Sequence, residues 1–178
     1  HKLHPLWNTG WIPLLFLISC IGMGYAVVVW ESAVSSSVFN RQREDAMLIS
    51  LSGAMVVVLG LFLLLRFGDI IVSGNTGMLF LSGMLSVMFW IEMALVAIPM
   101  LMLMRAKDRA NFVTIFKASV LIMLAGALYR FDTYIVAFNP GKNWSYFPTT
   151  LELLITVGVV GLEIFLYIFI VKRYPILS

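Results

Sequence analysis

MLFLSGMLSVMFWIEMALVAIPMLMLM, residues 78–104, carries a single ionisable side chain, Glu92, in a run that is otherwise apolar or small. About 20 apolar residues in a helix cross the hydrocarbon core of a bilayer, so a run of this length reads as a membrane span. Working outward, similar runs occupy residues 46–67 and 11–31 on the N-terminal side, and 112–131 and 149–171 on the C-terminal side. Backbone groups in lipid must be satisfied within the segment, and no short alternating pattern suggests barrel strands, so all five runs are expected to be helices. The fold class that follows is all-α, a polytopic transmembrane bundle of five spans forming one unit over residues 1–178.

Composition agrees. Hydrophobic residues make up 61% and charged residues 12%, with a mean hydropathy of +0.99, whereas soluble domains are about a quarter charged. The net charge of +3 is therefore a matter of orientation and not of nucleic-acid binding. Lys2, Arg66, Arg130 and Lys142 fall on one set of flanks; Arg41, Arg43, Arg105, Lys107, Arg109, Lys117, Lys172 and Arg173 fall on the other. The more basic side is cytoplasmic by the positive-inside rule, which predicts the N-terminus and the 132–148 loop outside and the C-terminus in the cytoplasm. Small residues at Ser19, Gly22, Gly24 and Ala26, and at Ser52, Gly53 and Gly60, are expected to let helices approach one another. The first helix is expected to end at Trp30 and Glu31, and the second to close at Arg66 to Asp69 with that pair acting as an interfacial anchor.

Ionisable residues inside spans are candidates for function, because lipid tolerates them only when they are paired, protonated or hydrated. Glu92 lies roughly 21 Å along its run at 1.5 Å per residue, and Glu163 lies past the middle of the last span. On that last span Glu152, Thr156, Glu163 and Tyr167 share one helical face. Carboxyls and hydroxyls spaced this way can pass protons through intervening water. With Glu92, and with Glu31 at the cytoplasmic side, they form a candidate proton path; the plain alternative is that they only bond neighbouring helices. A second concentration, LYRFDTYIVAFNPG at 128–141 with KNWSYFP at 142–148, sets Tyr129, Arg130, Asp132 and Tyr134 at the end of the fourth span. Donors, an acid and aromatic walls together suit a quinone head group. Equally, Arg130 with Asp132, or Arg66 with Asp69, could be ion pairs that pin helix ends.

No nucleotide or phosphate loop and no metal-ligand cluster is present in the sequence. The lone Cys20 sits in an apolar run and reads as a packing residue. The histidines, His1 and His4, precede the first span. A haem in the bilayer usually takes histidine as axial ligand, so the expectation is a chain that binds neither haem nor metal.

The stretches LYRFDTYIVAFNPG, YFPTTLELLITVG (146–158) and LEI (162–164), with KLHPLW (2–7), LLLRFGDII (63–71) and SVMFWIEMAL (86–95), resemble the C-terminal half of the NrfD-like family, the polysulfide-reductase membrane subunits. The branch they look most like forms the membrane subunit of periplasm-facing nickel-iron hydrogenases. The resemblance implies a cofactor-free subunit of two helical bundles in the bacterial inner membrane, of which this chain, beginning with His1, would be the second. It also implies electron exchange between menaquinone or ubiquinone and a periplasmic iron-sulfur subunit. That subunit would serve a catalytic partner such as a hydrogenase or molybdopterin enzyme, and this chain would not be catalytic alone. The alternative is a structural membrane anchor; a secondary transporter is disfavoured, since no inverted repeat or broken helix is visible.

Overall fold

The computed structural model describes residues 3–39, 44–81, 83–138, 141 and 149–173. The chain divides into two units, His1–Lys142 and Asn143–Ser178. In the first unit four long helices, α1 (Ile12–Phe39), α2 (Asp45–Val72), α4 (Met84–Met104) and α6 (Phe112–Phe131), are joined with two single-turn helices, α3 (Met78–Leu81) and α5 (Ala106–Arg109). A π-helical turn, Asp132–Val136, extends α6. The second unit is one helix, α7 (Thr150–Arg173). All five long helices are long and apolar enough to cross a membrane, and the protein is a multi-pass α-helical membrane protein.

Within the first unit α1 packs on α2 and α6, and α4 on α2 and α6, so the four helices close a ring. Its core is built from Leu15, Leu48, Met55, Leu59, Phe89, Val96, Ile115 and Ile122, all buried. Serines inside these apolar helices satisfy themselves locally: Ser19, Ser52 and Ser119 each donate to the carbonyl three residues back, at 2.6–2.8 Å. Close approach is tightest at one position. A Cβ on Gly126 of α6 would run into Met23 of α1. Gly22 sits in ordinary contact range of Val58 and Ile122, at 3.6 and 3.9 Å from its would-be Cβ, so α1 meets both neighbours at its small residues.

Four boundaries differ from those the sequence suggests, one of them at the fourth span, which runs on through the π-turn to Val136. The first helix does not stop at Glu31 but continues to Phe39; the serine-rich segment contains no Gly or Pro to break it, and Ser36 folds its hydroxyl onto the Ala33 carbonyl at 3.0 Å. The second passes through Gly68 and Asp69 to Val72 and stops where Gly74 takes φ 68°, the left-handed conformation that glycine adopts without strain. The apolar run 78–104 is broken at Gly83, with φ 57°, so its span begins at Met84. The turn α3 stays fastened to the span it precedes, since Ser86 donates to the Met78 carbonyl at 2.9 Å and the Trp90 indole to that of Leu79 at 3.2 Å.

Ahead of α1, residues His4 to Asn8 form a turn in which the Trp7 and Asn8 amides both donate to the His4 carbonyl, at 2.8 and 2.9 Å. This segment is tied to the far end of α6 by the bridge between Leu3 and Phe138 and by the His4 amide donating to the Ala137 carbonyl at 2.9 Å. Asn75 donates to the Pro5 carbonyl at 3.3 Å. The start of α1, the end of α2, the start of α4 and the end of α6 thus share one end of the bundle.

Candidate functional site

At that end the ring interior holds charge. Arg66 of α2 and Glu92 of α4 are both fully buried, with Arg66 Nη2 4.0 Å from Glu92 Oε1. The other carboxylate oxygen, Oε2, accepts a hydrogen bond of 3.1 Å from the indole Nε1–H of Trp7. The guanidinium stands over two ring faces, with Cζ 5.3 Å from the Phe89 centroid and 5.8 Å from that of Tyr129, a placement that stabilises a cation removed from water. Asp132, at the first position of the π-turn, is also fully buried and interacts electrostatically with Arg66. Helical rise puts Glu92 about 12 Å from the start of α4 and Arg66 about 9 Å from the end of α2. The site therefore lies within reach of one membrane face, and Glu92 is not as deep as the unbroken reading of 78–104 implied.

The turn positions Asp132. The Ala137 amide donates to the Asp132 carbonyl at 2.7 Å, a five-residue closure, while the Thr133 hydroxyl donates to the Tyr129 carbonyl at 2.7 Å. Tyr129 is buried between Phe16 and Phe62, at centroid distances of 4.9 and 5.3 Å. Of the four outer candidates read from sequence, Tyr129 and Asp132 thus join Arg66 and Glu92. The other two do not. Arg130 turns to α1, donating to the Gly126 carbonyl at 2.7 Å, to Met23 Sδ at 2.9 Å and to Cys20 Sγ at 2.9 Å. Tyr134 is exposed, edge-on to Phe16 at 5.6 Å.

Several expectations are corrected by this geometry. Arg66 is no interfacial anchor with Asp69: among the described residues its ion-pair partner is Glu92. Nor does Arg130 pair with Asp132, since their side chains leave α6 in different directions, one to α1 and one to the interior. Cys20 is not a packing residue but an exposed thiol against that guanidinium. Two site residues were missed. Arg66 carried a signal, a cation within LFLLLRFGDII, whereas Trp7 lies before any span and no periodicity points to it.

The remaining path candidates are dispersed. Glu31 is exposed, roughly 29 Å along α1 from its start, and between that level and the charged site the ring is filled by Leu59, Met55, Val96 and Ile122. A cavity of about 20 Å³ opens among Leu59, Phe62, Val96, Ile122 and Tyr129, room for about one water by volume but walled chiefly by apolar groups. On α7, described by itself, Glu152 accepts from the Thr149 amide at 2.8 Å and Thr149 Oγ1 accepts from the Glu152 amide at 3.4 Å. That reciprocal pair is a capping box, a structural role the sequence TTLE could have revealed. Thr156 donates to the Glu152 carbonyl at 2.9 Å, and Glu163 and Tyr167 lie along the exposed length of the same helix. Lys142, Trp144, Ser145, Tyr146 and Phe147, together with Lys2, Arg41 and Arg43, lie outside the described residues.

His4 backs Trp7, with ring centroids 5.9 Å apart and edge to face. Its Nδ1 accepts from the Leu6 amide at 3.4 Å. Burial lowers the His4 pKa from its ordinary 6.5, because the cation would lose its water.

Residues 2–138 match the family model described as "Polysulphide reductase, NrfD". Over 99% of its length the chain is 36% identical to the "Probable Ni/Fe-hydrogenase 2 b-type cytochrome subunit" of Escherichia coli (strain K12), covering 46% of that protein. It is also 28% identical, over 99% of its length, to a protein of Nitratidesulfovibrio vulgaris (strain Hildenborough), covering 47% of it. The chain thus spans about half the length of the curated relatives it matches. No solved structure matches it significantly. The first relative overturns the expectation of a haem-free chain: its name is that of a b-type cytochrome subunit, a class defined by haem. That expectation came from counting histidines in this chain alone, a span covering 46% of the relative. Among the described residues one imidazole, that of His4, stands at the charged end.

Proposed function

This chain belongs to the polysulphide reductase, NrfD family, and on that premise we propose that it is part of an integral membrane subunit of a respiratory redox complex in the bacterial inner membrane. The subunit exchanges electrons between the quinone pool, menaquinone or ubiquinone, and a periplasmic iron-sulfur protein that serves a catalytic partner. The charged end of the bundle faces outward, with the N-terminus outside and the C-terminus in the cytoplasm. Arg66 no longer counts among the flanking cations, being buried, and removing it widens the asymmetry in basic residues that supports this orientation.

The observation that carries the reading is the buried set Arg66, Glu92 and Asp132 beneath Trp7. Charges in a span are costly, and a scaffold that needed only to hold its helices together would do so with apolar contacts. Quinone reduction and oxidation take up and release protons, and Glu92 and Asp132 supply carboxyls within reach of the outer face. Glu31, Glu152, Thr156, Glu163 and Tyr167 are the onward candidates for proton transfer toward the cytoplasm. Arg130, Tyr129 and Tyr134, gathered around Phe16, are the candidates for contact with the quinone ring.

Glu92→Gln tests the reading in the full-length complex. The amide keeps the hydrogen bond from Trp7 but carries no proton, so the complex should assemble while quinone-linked turnover and proton uptake per assembled complex fall at least tenfold. A structural anchor predicts the reverse, with yield reduced and turnover per complex unchanged; that result would sink the proposal.

A further inference from the structure

We propose that Arg66, Glu92 and Asp132 enclose ordered water and hold one exchangeable proton, and that the Trp7 indole is the stopper that separates this site from the outer aqueous phase. The inference deepens the reading of Glu92 as a proton carrier, adding its ligand, its proton partner and its closure.

The ligand follows from the atoms left without partners. Arg66 Nε, Nη1 and Nη2, Glu92 Oε1, and Asp132 Oδ1 and Oδ2 are all buried, and none has a hydrogen-bond partner among the described residues. The shortest approach between the opposite charges, 4.0 Å, is too long for a hydrogen bond and suits a bridge through one water. A metal cation is disfavoured by the guanidinium that interacts with both acids. An anion is excluded by the acids themselves. An apolar ring would leave every one of these donors and acceptors unsatisfied. Water both donates and accepts, so it suits donors and acceptors alike.

Charge sets the proton count. The guanidinium does not deprotonate in proteins, so a site of one cation and two carboxyls is neutral when it holds one proton. That proton moves between Glu92 and Asp132 by breaking an O–H bond at one carboxyl and forming one at the other through the intervening water, with no change of oxidation state. The groups that face the site from each neighbouring element are Arg66 of α2, Glu92 of α4, Tyr129 of α6, Asp132 of the π-turn and Trp7, with His4 behind Trp7.

Trp7 is suited to closing the site because an indole N–H donates and cannot accept. A chain of proton transfers that reaches Glu92 Oε2 ends there, leaving Oε1 turned to Arg66. The indole is itself 1% exposed and wedged between His4 and Phe89, at centroid distances of 5.9 and 6.0 Å. The Leu3 to Phe138 bridge holds its segment down.

Infrared difference spectra of the purified full-length complex test this. The parent should show a carboxylic-acid C=O band that is lost or displaced in both Glu92→Gln and Asp132→Asn, and that shifts slowly after transfer to D2O. Trp7→Phe removes the donor and, with its smaller ring, opens room for water beside Glu92 Oε2, and should speed that shift at least tenfold. His4→Ala, which loosens the segment without touching the site, should speed it in the same direction and serves if Trp7→Phe does not assemble. Absence of such a band, or exchange as slow in both variants as in the parent, would overturn the proposal. If the band behaves as described while Glu92→Gln turns over normally, the site stands and the turnover reading of Glu92 fails. If turnover is lost in Glu92→Gln and the parent shows no such band, the turnover reading stands and the enclosed proton does not.

Discussion

Replacing Arg66 by methionine removes the cation found among the described residues of a fully buried site and leaves Glu92 and Asp132 without it. Breaking a buried pair by deleting one partner costs about 3–5 kcal/mol, because the remaining charge stays desolvated. The stacking of the guanidinium on Phe89 and Tyr129, at 5.3 and 5.8 Å, is lost as well. Arg66→Lys keeps the charge but not the planar group, so it should cost less, about 1–2 kcal/mol. Adding Glu92→Met to Arg66→Met should recover part of the loss, since apolar side chains often replace a buried pair without penalty and Asp132, left alone, can take up a proton. Equilibrium unfolding of the three variants and the parent, in one detergent and followed by tryptophan fluorescence, gives the ranking. If Arg66→Met costs less than about 1 kcal/mol, or if the double variant is no better than the single, the pair does not hold the bundle together.

Gly126→Ala should destabilise the first unit by about 1–3 kcal/mol, as overpacking does, because the added methyl meets Met23, which Arg130 also holds. Met23→Ala in the same chain should relieve most of it, and an unfolding midpoint unmoved by Gly126→Ala would rule out the close contact. The His4 prediction concerns pH. Its pKa is lower in the fold than its ordinary 6.5, so the folded state binds fewer protons than the unfolded one. Stability from the His4 turn is full above pH 6.5 and falls as pH drops below it. Hydrogen exchange at the Leu6 and Trp7 amides should therefore quicken between about pH 8 and about pH 5, after correction for intrinsic rates, and His4→Gln should flatten that dependence.

The membrane spans were legible in the sequence because lipid imposes one demand, an apolar run of sufficient length, and each run declares it on its own. Glu92 and Asp132 were legible for the same reason, as ionisable groups where none is expected. What Arg66 does was not, because the neighbouring Gly68 and Asp69 look like a helix end. The stop lies further on, at Gly74, whose left-handed φ is a property of the folded backbone. Trp7 was invisible for a different reason: its partner Glu92 is distant in sequence, and only the closure of the ring brings them together. On α7 the shared face of Glu152, Thr156, Glu163 and Tyr167 was legible from spacing alone, whereas the capping role of Glu152, written in TTLE, was not read.

The wide turn at Asp132–Val136 has a consequence for how chain length and side-chain direction are related. It takes up one residue more than an α-helical turn would. Residues before it, Tyr129 among them, and residues after it, Ala137 and Phe138, therefore keep the facing of a helix one residue shorter. Length and aim are uncoupled at this spot. A chain one residue shorter here, continuing as plain α-helix, would still set Tyr129 against Arg66 on one side and Ala137 against His4 on the other.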